Sequence, residues 1–177
     1  TSASSNFSVN VANVNDAPVI LFRSVTLDED LGLGFVQSAL LDFAYDIDPT
    51  NDTLTVVNVG NAQNGTVTMD EWHKVLFSPD PDYFGPASFD YTVSDGNGGL
   101  TTATINITIL PVNDAPVVVA PLTDQAATED QAFSLAIPAN TFSDADTGDQ
   151  LAYSITMSDG SALPAWLTFD TATQTLN

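Results

Sequence analysis

A repeat constrains this chain more than any other feature. Val14-Asn15-Asp16-Ala17-Pro18 returns as Val112-Asn113-Asp114-Ala115-Pro116, 98 residues further on. Each copy follows an alternating apolar run: Phe7, Val9 and Val11 before the first, Ile105, Ile107 and Ile109 before the second. A period of two marks a half-buried strand. Proline fixes its own φ and pushes the preceding residue toward an extended conformation, so the chain leaves each repeat straight. Roughly 100 residues suits a two-sheet sandwich, and a self-similarity period sets the architecture before any local reading. The 177 residues then divide into the last strand of a preceding module (1–13), a complete sandwich (14–112) and a partial second module lacking its final strands (113–177).

Within 14–112 the pattern predicts seven or so strands, with turn signals every eight to twelve residues, as in all-β sandwiches. Phe89, Tyr91 and Val93 alternate with Asp90 and Thr92. Asn64-Gly65 is a hairpin signal. One stretch invites a helix, since Val36, Ala39, Leu40 and Phe43 have helical spacing. The matching segment of the second copy contains Pro138, so a strand and a short turn are expected there instead. An incomplete second sandwich leaves open edges, which further chain or another copy would cover.

Net charge is −21, with Arg23 and Lys74 the only fixed cations. Nucleic acid is excluded as a partner, because phosphate binding needs basic patches. Anionic membrane surfaces are disfavoured for the same reason. No segment is apolar enough for membrane insertion. The chain has no cysteine. An extracellular β-protein without disulfides needs another staple, and metal is the obvious substitute. The carboxylates also cluster: Asp28-Glu29-Asp30, Asp46-Ile47-Asp48, Asp80-Pro81-Asp82 and Asp144-Ala145-Asp146.

That pattern suits Ca2+, which takes six to eight oxygen ligands, more than one loop supplies. Loops converging at the junction of two end-to-end sandwiches can supply them. The first such set is Asn15 and Asp16 of the linker, Asp46 and Asp48 of the next loop, and Asp95 of the turn before the last strand. The second is Asn113, Asp114, Asp144 and Asp146, with Glu29 and Asp82 from the far end of the complete module. An Asp-x-Asp spacing puts both carboxylates on one side of an extended backbone. Taken alone it is weak, since Asp caps turns. Its recurrence with Asn-Asp at a fixed offset is much stronger. Zinc and iron fit poorly, because they want His or Cys and His73 is the single such residue. No catalytic set emerges: His73 has no nucleophile partner in a shared motif, and the paired carboxylates cluster at module ends.

These residues resemble a known family. Val-Asn-Asp-Ala-Pro after an alternating strand is similar to the linker of bacterial cadherin-like tandem repeats in large RTX-type surface adhesins. The stretches 77–85 (FSPDPDYFG) and 89–99 (FDYTVSDGNGG) look like that family's most recognisable segment. Residues 117–177 resemble a dystroglycan-type cadherin-like module, from Glu129-Asp130 through Asp144-x-Asp146 to Leu163-Pro164-Ala165-Trp166-Leu167. The resemblance implies an all-β fold of tandem Ig-like/cadherin-like Greek-key β-sandwiches arranged end to end. It also implies that linker Asn-Asp, the following Asp-x-Asp and the preceding module's Glu share calcium ions. The chain departs from animal cadherins two positions before the linker Asn, where Asn13 and Pro111 stand in place of Asp.

The expected function is a calcium-rigidified extender or stalk segment of a bacterial adhesin, secreted or at the cell surface and not an enzyme. Its partners would be neighbouring modules of the same chain. One alternative is a carbohydrate-binding module for polysaccharide or cell-surface glycans, using Trp72, Tyr83 and Trp166. Against it, Trp166 is expected in the core and Trp72 as a loop anchor. Another alternative is a homophilic or filament-forming adhesion module.

Overall fold

The computed structural model describes residues 4–21, 23–48 and 52–177. These fall into two compact units, Thr1–Val112 and Asn113–Asn177. Their regular structure is almost wholly strand, the exception among the described residues being one short helix.

Among the described residues unit 1 holds nine strands: β1 (Val19–Ile20), β2 (Arg23–Asp28), β3 (Leu33–Phe35), β4 (Ala44–Tyr45), β5 (Thr55–Gln63), β6 (Gly65–Met69), β7 (Val75–Pro79), β8 (Gly85–Ser94) and β9 (Leu100–Leu110). One sheet has the order β2-β9-β8-β5 and a second the order β3-β7-β6. β2 runs parallel to β9, while β8 pairs antiparallel with both β9 and β5. On β8 the alternation is complete: Ala87, Phe89, Tyr91 and Val93 are buried and the residues between them are not. Ile105, Ile107 and Ile109 do the same on β9. Phe89 stacks on Phe77 from the opposite sheet at 5.8 Å between ring centroids and meets Phe35 at 5.8 Å. Full burial of each such side chain contributes roughly 1.5–3 kcal/mol.

Two local expectations for unit 1 are corrected. The strand-and-turn expected over 35–45 is instead a helix, α1 (Gln37–Leu41), between β3 and β4. Leu40 is fully buried on its inner side, and the Arg23 guanidinium donates to the Ala39 carbonyl at 2.5 Å while lying over the rings of Phe35 and Phe43. The spacing of Leu40 and Phe43 was the correct signal, and comparison with the diverged second copy was the misleading one. Asn64-Gly65 makes no hairpin, since β5 and β6 lie in different sheets. Asn64 adopts φ 57° and its amide donates to the Tyr83 hydroxyl and the Pro86 carbonyl. Gly65 lies so close to Phe77 that a Cβ would sit 2.6 Å from its ring. The pair turns a corner between sheets.

Unit 2 is sparser. Its strands are β10 (Val117–Val118), β11 (Leu135–Ala136), β12 (Phe142–Ser143), β13 (Phe169–Asp170) and β14 (Thr175–Leu176). β10 pairs with β12, and β14 lies between β11 and β13. Ile137 and Thr141 are its buried residues among those described. Trp166, expected in the core, is 76% exposed, because no described strand covers its face. The expected strand at 1–13 is also absent over its described part, 4–13. Phe7, Val9 and Val11 stand in solvent with no partner strand to hold them.

Candidate metal centre

Three segments of unit 1 converge on one end of the first sheet. The linker arrives first. Pro18 is buried, and its carbonyl accepts a 2.6 Å hydrogen bond from the Thr101 hydroxyl on β9. Two residues earlier, the Asp16 amide donates to Asp48 Oδ2 at 2.7 Å. The Asn13 side chain donates to Asp48 Oδ1 at 2.9 Å. Asp46 Oδ1 accepts from the Asp48 amide at 3.0 Å, the local bond that makes Asp-x-Asp a self-ordering turn.

The β8–β9 turn completes the arrangement. Asp95 is 2% exposed. Its carboxylate accepts from the Asn97 amide at 2.7 Å, the Gly99 amide at 3.0 Å and the Asn15 side chain at 2.8 Å. The Asn15 hydrogen bond, helped by those two backbone amides, holds the Asp95 carboxyl below the usual aspartate range against its burial. Asn97 in turn donates from its side chain to Asp52 Oδ1 at 2.7 Å. Gly99 is obligatory: a Cβ there would overlap the Asp95 carboxylate and come within 2.9 Å of Ala17 Cα and the Asp16 carbonyl. The backbone of the linker and the Asp95 turn are in contact because residue 99 has no side chain.

Asp46, Asp48 and Asp52 bring carboxylate oxygens within 4.8 Å of one another. At an effective dielectric of about 20, each pair of charges at that distance repels by roughly 3–4 kcal/mol. The oxygens Asp46 Oδ2 and Asp52 Oδ2 are buried and have no hydrogen-bond partner. Buried acceptors of that kind are costly unless a cation or donor reaches them. The donor set is oxygen throughout, which suits calcium rather than zinc. Pro49, Thr50 and Asn51, within this loop, lie outside the described residues.

Unit 2 repeats the kernel. The Asp114 amide donates to Asp146 Oδ2 at 2.7 Å, and Asp144 Oδ1 accepts from the Asp146 amide at 3.0 Å. The Asn113 side chain donates to the Asp114 carbonyl, as Asn15 does to Asp16. Asp144, Asp146 and Asp149 gather oxygens within 4.8 Å. Asp52 and Asp149 escaped the sequence reading. Their signal was present: they sit 97 apart, with the one-residue slip that also relates Leu54 to Leu151.

Glu29 and Asp82 lie elsewhere in unit 1. Glu29 follows β2 and is 2% exposed, and its Oε1 accepts from the Val112 amide at 2.5 Å. Its own amide bonds to the Leu110 carbonyl, at the far end of β9 from Asp95. Eleven strand residues separate the two ends by about 35 Å. Asp82 belongs to the same far end, in an exposed turn with φ 54° just before β8. Neither residue joins Asp46, Asp48 and Asp95.

Two packed antiparallel-rich sheets entered through an Asn-Asp-Ala-Pro linker define an Ig-like module. The chain belongs to the bacterial Ig domain family, whose model matches residues 15–108. The family described as "Putative Ig domain" matches residues 115–177. Bacterial Ig domains are typically extracellular surface domains, and no described helix is long and apolar enough to cross a membrane. Integrin beta-like protein A of Dictyostelium discoideum is 34% identical over 70 residues, and the match spans 38% of this chain and 4% of that protein. Among solved structures, the human desmocollin-1 ectodomain is similar at 15% identity and TM-score 0.42, over 92% of this chain and 33% of that one. An endo-fucoidan hydrolase of glycoside hydrolase family 107 is similar at 23% identity and TM-score 0.36, over 91% of this chain and 24% of that one.

Proposed function

We propose that this chain is a calcium-rigidified extender segment of a large bacterial surface or secreted adhesin of the RTX type, its second unit a dystroglycan-type cadherin-like module. One observation carries the reading. The linker amide, the Asp-x-Asp turn and a third aspartate recur at both linkers with the same distances, and in unit 1 two buried carboxylate oxygens of the set lack a partner. Asp46, Asp48 and Asp52 would hold Ca2+ in unit 1, beside Asp95, Asn15 and Asp16. Asp144, Asp146 and Asp149 would do so in unit 2, with Asn113 and Asp114. Bound calcium supplies positive charge that cancels the repulsion and ties linker to loop, so that a string of modules stiffens.

Isothermal calorimetry with Ca2+ tests the sites, and small-angle scattering with and without chelator tests the stiffening. Calcium binding lost in Asp48→Asn and Asp146→Asn, with a maximum dimension that falls on chelation, is the expected result. An unchanged maximum dimension sinks the extender role. A second reading, carbohydrate binding, takes support from Trp72 at 75% exposure and Trp166 at 76%. A polysaccharide pull-down comparing Trp72→Ala with Trp166→Ala tests it, and retention unaffected by either change excludes it.

A further inference from the structure

An asparagine or aspartate followed by glycine can react with its own backbone. The glycine amide nitrogen attacks the side-chain carbonyl carbon, and with no Cβ on the glycine nothing blocks the approach. The chain has four such pairs: Asn64-Gly65, Asp95-Gly96, Asn97-Gly98 and Asp159-Gly160.

Three of them are held shut. The Asn64 side chain donates to the Tyr83 hydroxyl and the Pro86 carbonyl, and Gly65 is pressed against the Ser78 carbonyl and the Phe77 ring. A five-membered ring has no room to close there. The Asp95 carboxylate is clasped by the amides of Asn97 and Gly99 and by the Asn15 side chain. Asp159 Oδ1 accepts from both the amide and the hydroxyl of Ser161, and the Gly160 amide donates to the Met157 carbonyl at 2.9 Å. Aspartate is also ionised at neutral pH, and an anionic carboxylate is a poor target for a nucleophile.

Asn97 differs on each count. Its side chain is a neutral amide. Asn97 and Gly98 are both exposed in the β8–β9 turn, with Gly98 at φ 109°. Asp95 accepts from the amides of Asn97 and Gly99 and passes over the one between them. The Gly98 amide donates to nothing among the described residues. A Cβ built on Gly98 would meet nothing within 4 Å, so the space around the pair is open. One contact restrains the side chain: Asn97 Nδ2 donates to Asp52 Oδ1 at 2.7 Å.

We propose that Asn97 is a self-modification site, which deamidates through attack by the Gly98 nitrogen and is restrained by Asp52. The bond from Gly98 N to Asn97 Cγ forms as the Cγ–Nδ2 bond breaks. Ammonia leaves, carrying the Gly98 amide proton, and a succinimide closes. Water then opens the ring at either carbonyl and leaves aspartate or isoaspartate at position 97. Either product puts a carboxylate where a donor faced Asp52, so a 2.7 Å tie becomes a like-charge repulsion. Isoaspartate also inserts one backbone carbon between the two amides that clasp Asp95. The modification therefore loosens the β8–β9 turn from the loop that carries Asp52. It needs no metal, and it holds with or without the calcium reading.

Peptide mapping by mass spectrometry tests the proposal on the full chain, held for weeks in chelator at mildly alkaline pH. The mass gain of an amide-to-acid exchange should build up at Asn97 several-fold faster than at Asn64, with isoaspartate among the products. Asn97→Gln, which would need a larger ring, should abolish it. Asp52→Ala removes the restraint and should speed the reaction several-fold, with an unchanged circular dichroism spectrum confirming the fold. Asn97→Asp reproduces the ordinary product. Its melting temperature in chelator should fall below that of the parent chain, and the gap should narrow as salt screens the repulsion. An Asn97 that stays intact overturns the site, and so does an Asn64 that reacts as fast. A rate unchanged in Asp52→Ala overturns the restraint. Equal melting of Asn97→Asp and parent at low salt overturns the loosening of the turn.

Discussion

The two linkers have nearly the same local geometry in very different surroundings. Asp16 and Asp114 each donate a 2.7 Å amide bond to the second aspartate of Asp-x-Asp, and each first aspartate accepts at 3.0 Å. The two-residue ladders that follow are also in step: Val19 opposite Tyr45 and Val117 opposite Ser143. Around the first copy lies a core of thirteen buried apolar residues, and around the second little beyond Ile137 and Thr141. The kernel therefore does not depend on a large core. A linker amide bonded to the Asp-x-Asp turn 32 residues further on forms it in both units. What differs is the third arm. Asp95 and Gly99 come from the β8–β9 turn, and Pro18 is buried against that end of the sheet, whereas Pro116 is exposed.

The largest test of this contrast concerns the cores. Phe89→Ala should destabilise unit 1 by about 3–5 kcal/mol, because Phe89 bridges the two sheets and its cavity cannot collapse. Ile137→Ala should cost unit 2 about 2 kcal/mol or less, since little packs round it to be lost. Urea unfolding followed by hydrogen exchange separates the units. Equal losses in both would mean that unit 2 has a core as developed as that of unit 1.

Next in size is the third arm. Gly99→Ala should destabilise unit 1 by about 1–3 kcal/mol, by driving a methyl group into the Asp95 carboxylate and the linker backbone. It should also weaken calcium binding by unit 1 and leave that of unit 2 unchanged. Calorimetry on the Asp146→Asn background isolates the unit 1 site. If affinity there is untouched, Asp95 and the linker are not part of one site.

A finer test sits inside the kernels. Asp52→Asn and Asp149→Asn should each lower calcium affinity of their own unit by roughly tenfold, each removing one anionic oxygen donor. The loss should be greater for Asp52, whose Oδ2 is buried without a partner. Titration of each variant against the parent chain decides it.

Legibility in the sequence divided local features from distant ones. The alternation on β8 and β9 and the Asp-x-Asp turns were readable because each is written in a short stretch, and the period of 98 because the same short motif occurs twice. The helix at Gln37–Leu41 was misjudged although its own spacing signalled it, because the matching segment of the diverged second copy contains Pro138. Asn64-Gly65 carried the right turn chemistry and the wrong partner, since β6 pairs with β7 and not with β5. Asp52 and Asp149 were hidden by a one-residue slip. Trp166 was expected in the core rather than on a sugar-binding face, whereas its exposure depends on what covers that face, and that is written elsewhere in a chain.

The smallest expected effect is acid stability. Asp90 lies on the outer face of β8, where hydrogen bonds from Thr104 and then Asn61 hold its carboxyl below the ordinary aspartate value. A folded-state pKa lowered in this way favours the folded protein above the unfolded value, near 3.9, and the advantage fades as pH falls through the lowered value. In unit 2 the carboxyls similarly lowered are Asp159, by Ser161 in a turn, and Asp170, chiefly by the Ala172 amide at the end of the two-residue β13, neither of them on a long ladder. Asp90 joins three strands, since Asn61 is on β5 and Thr104 on β9. Its protonation should therefore loosen the sheet as a whole. Asp90→Asn should flatten the acid limb of unit 1 unfolding below about pH 4 and leave neutral-pH stability lower by a few tenths of a kcal/mol. Asp159→Asn and Asp170→Asn should alter only local exchange rates of the turn amides in unit 2. An acid midpoint of unit 1 identical in parent and Asp90→Asn would show that the three-strand bridge is screened by solvent, and the two units would then differ in their cores alone.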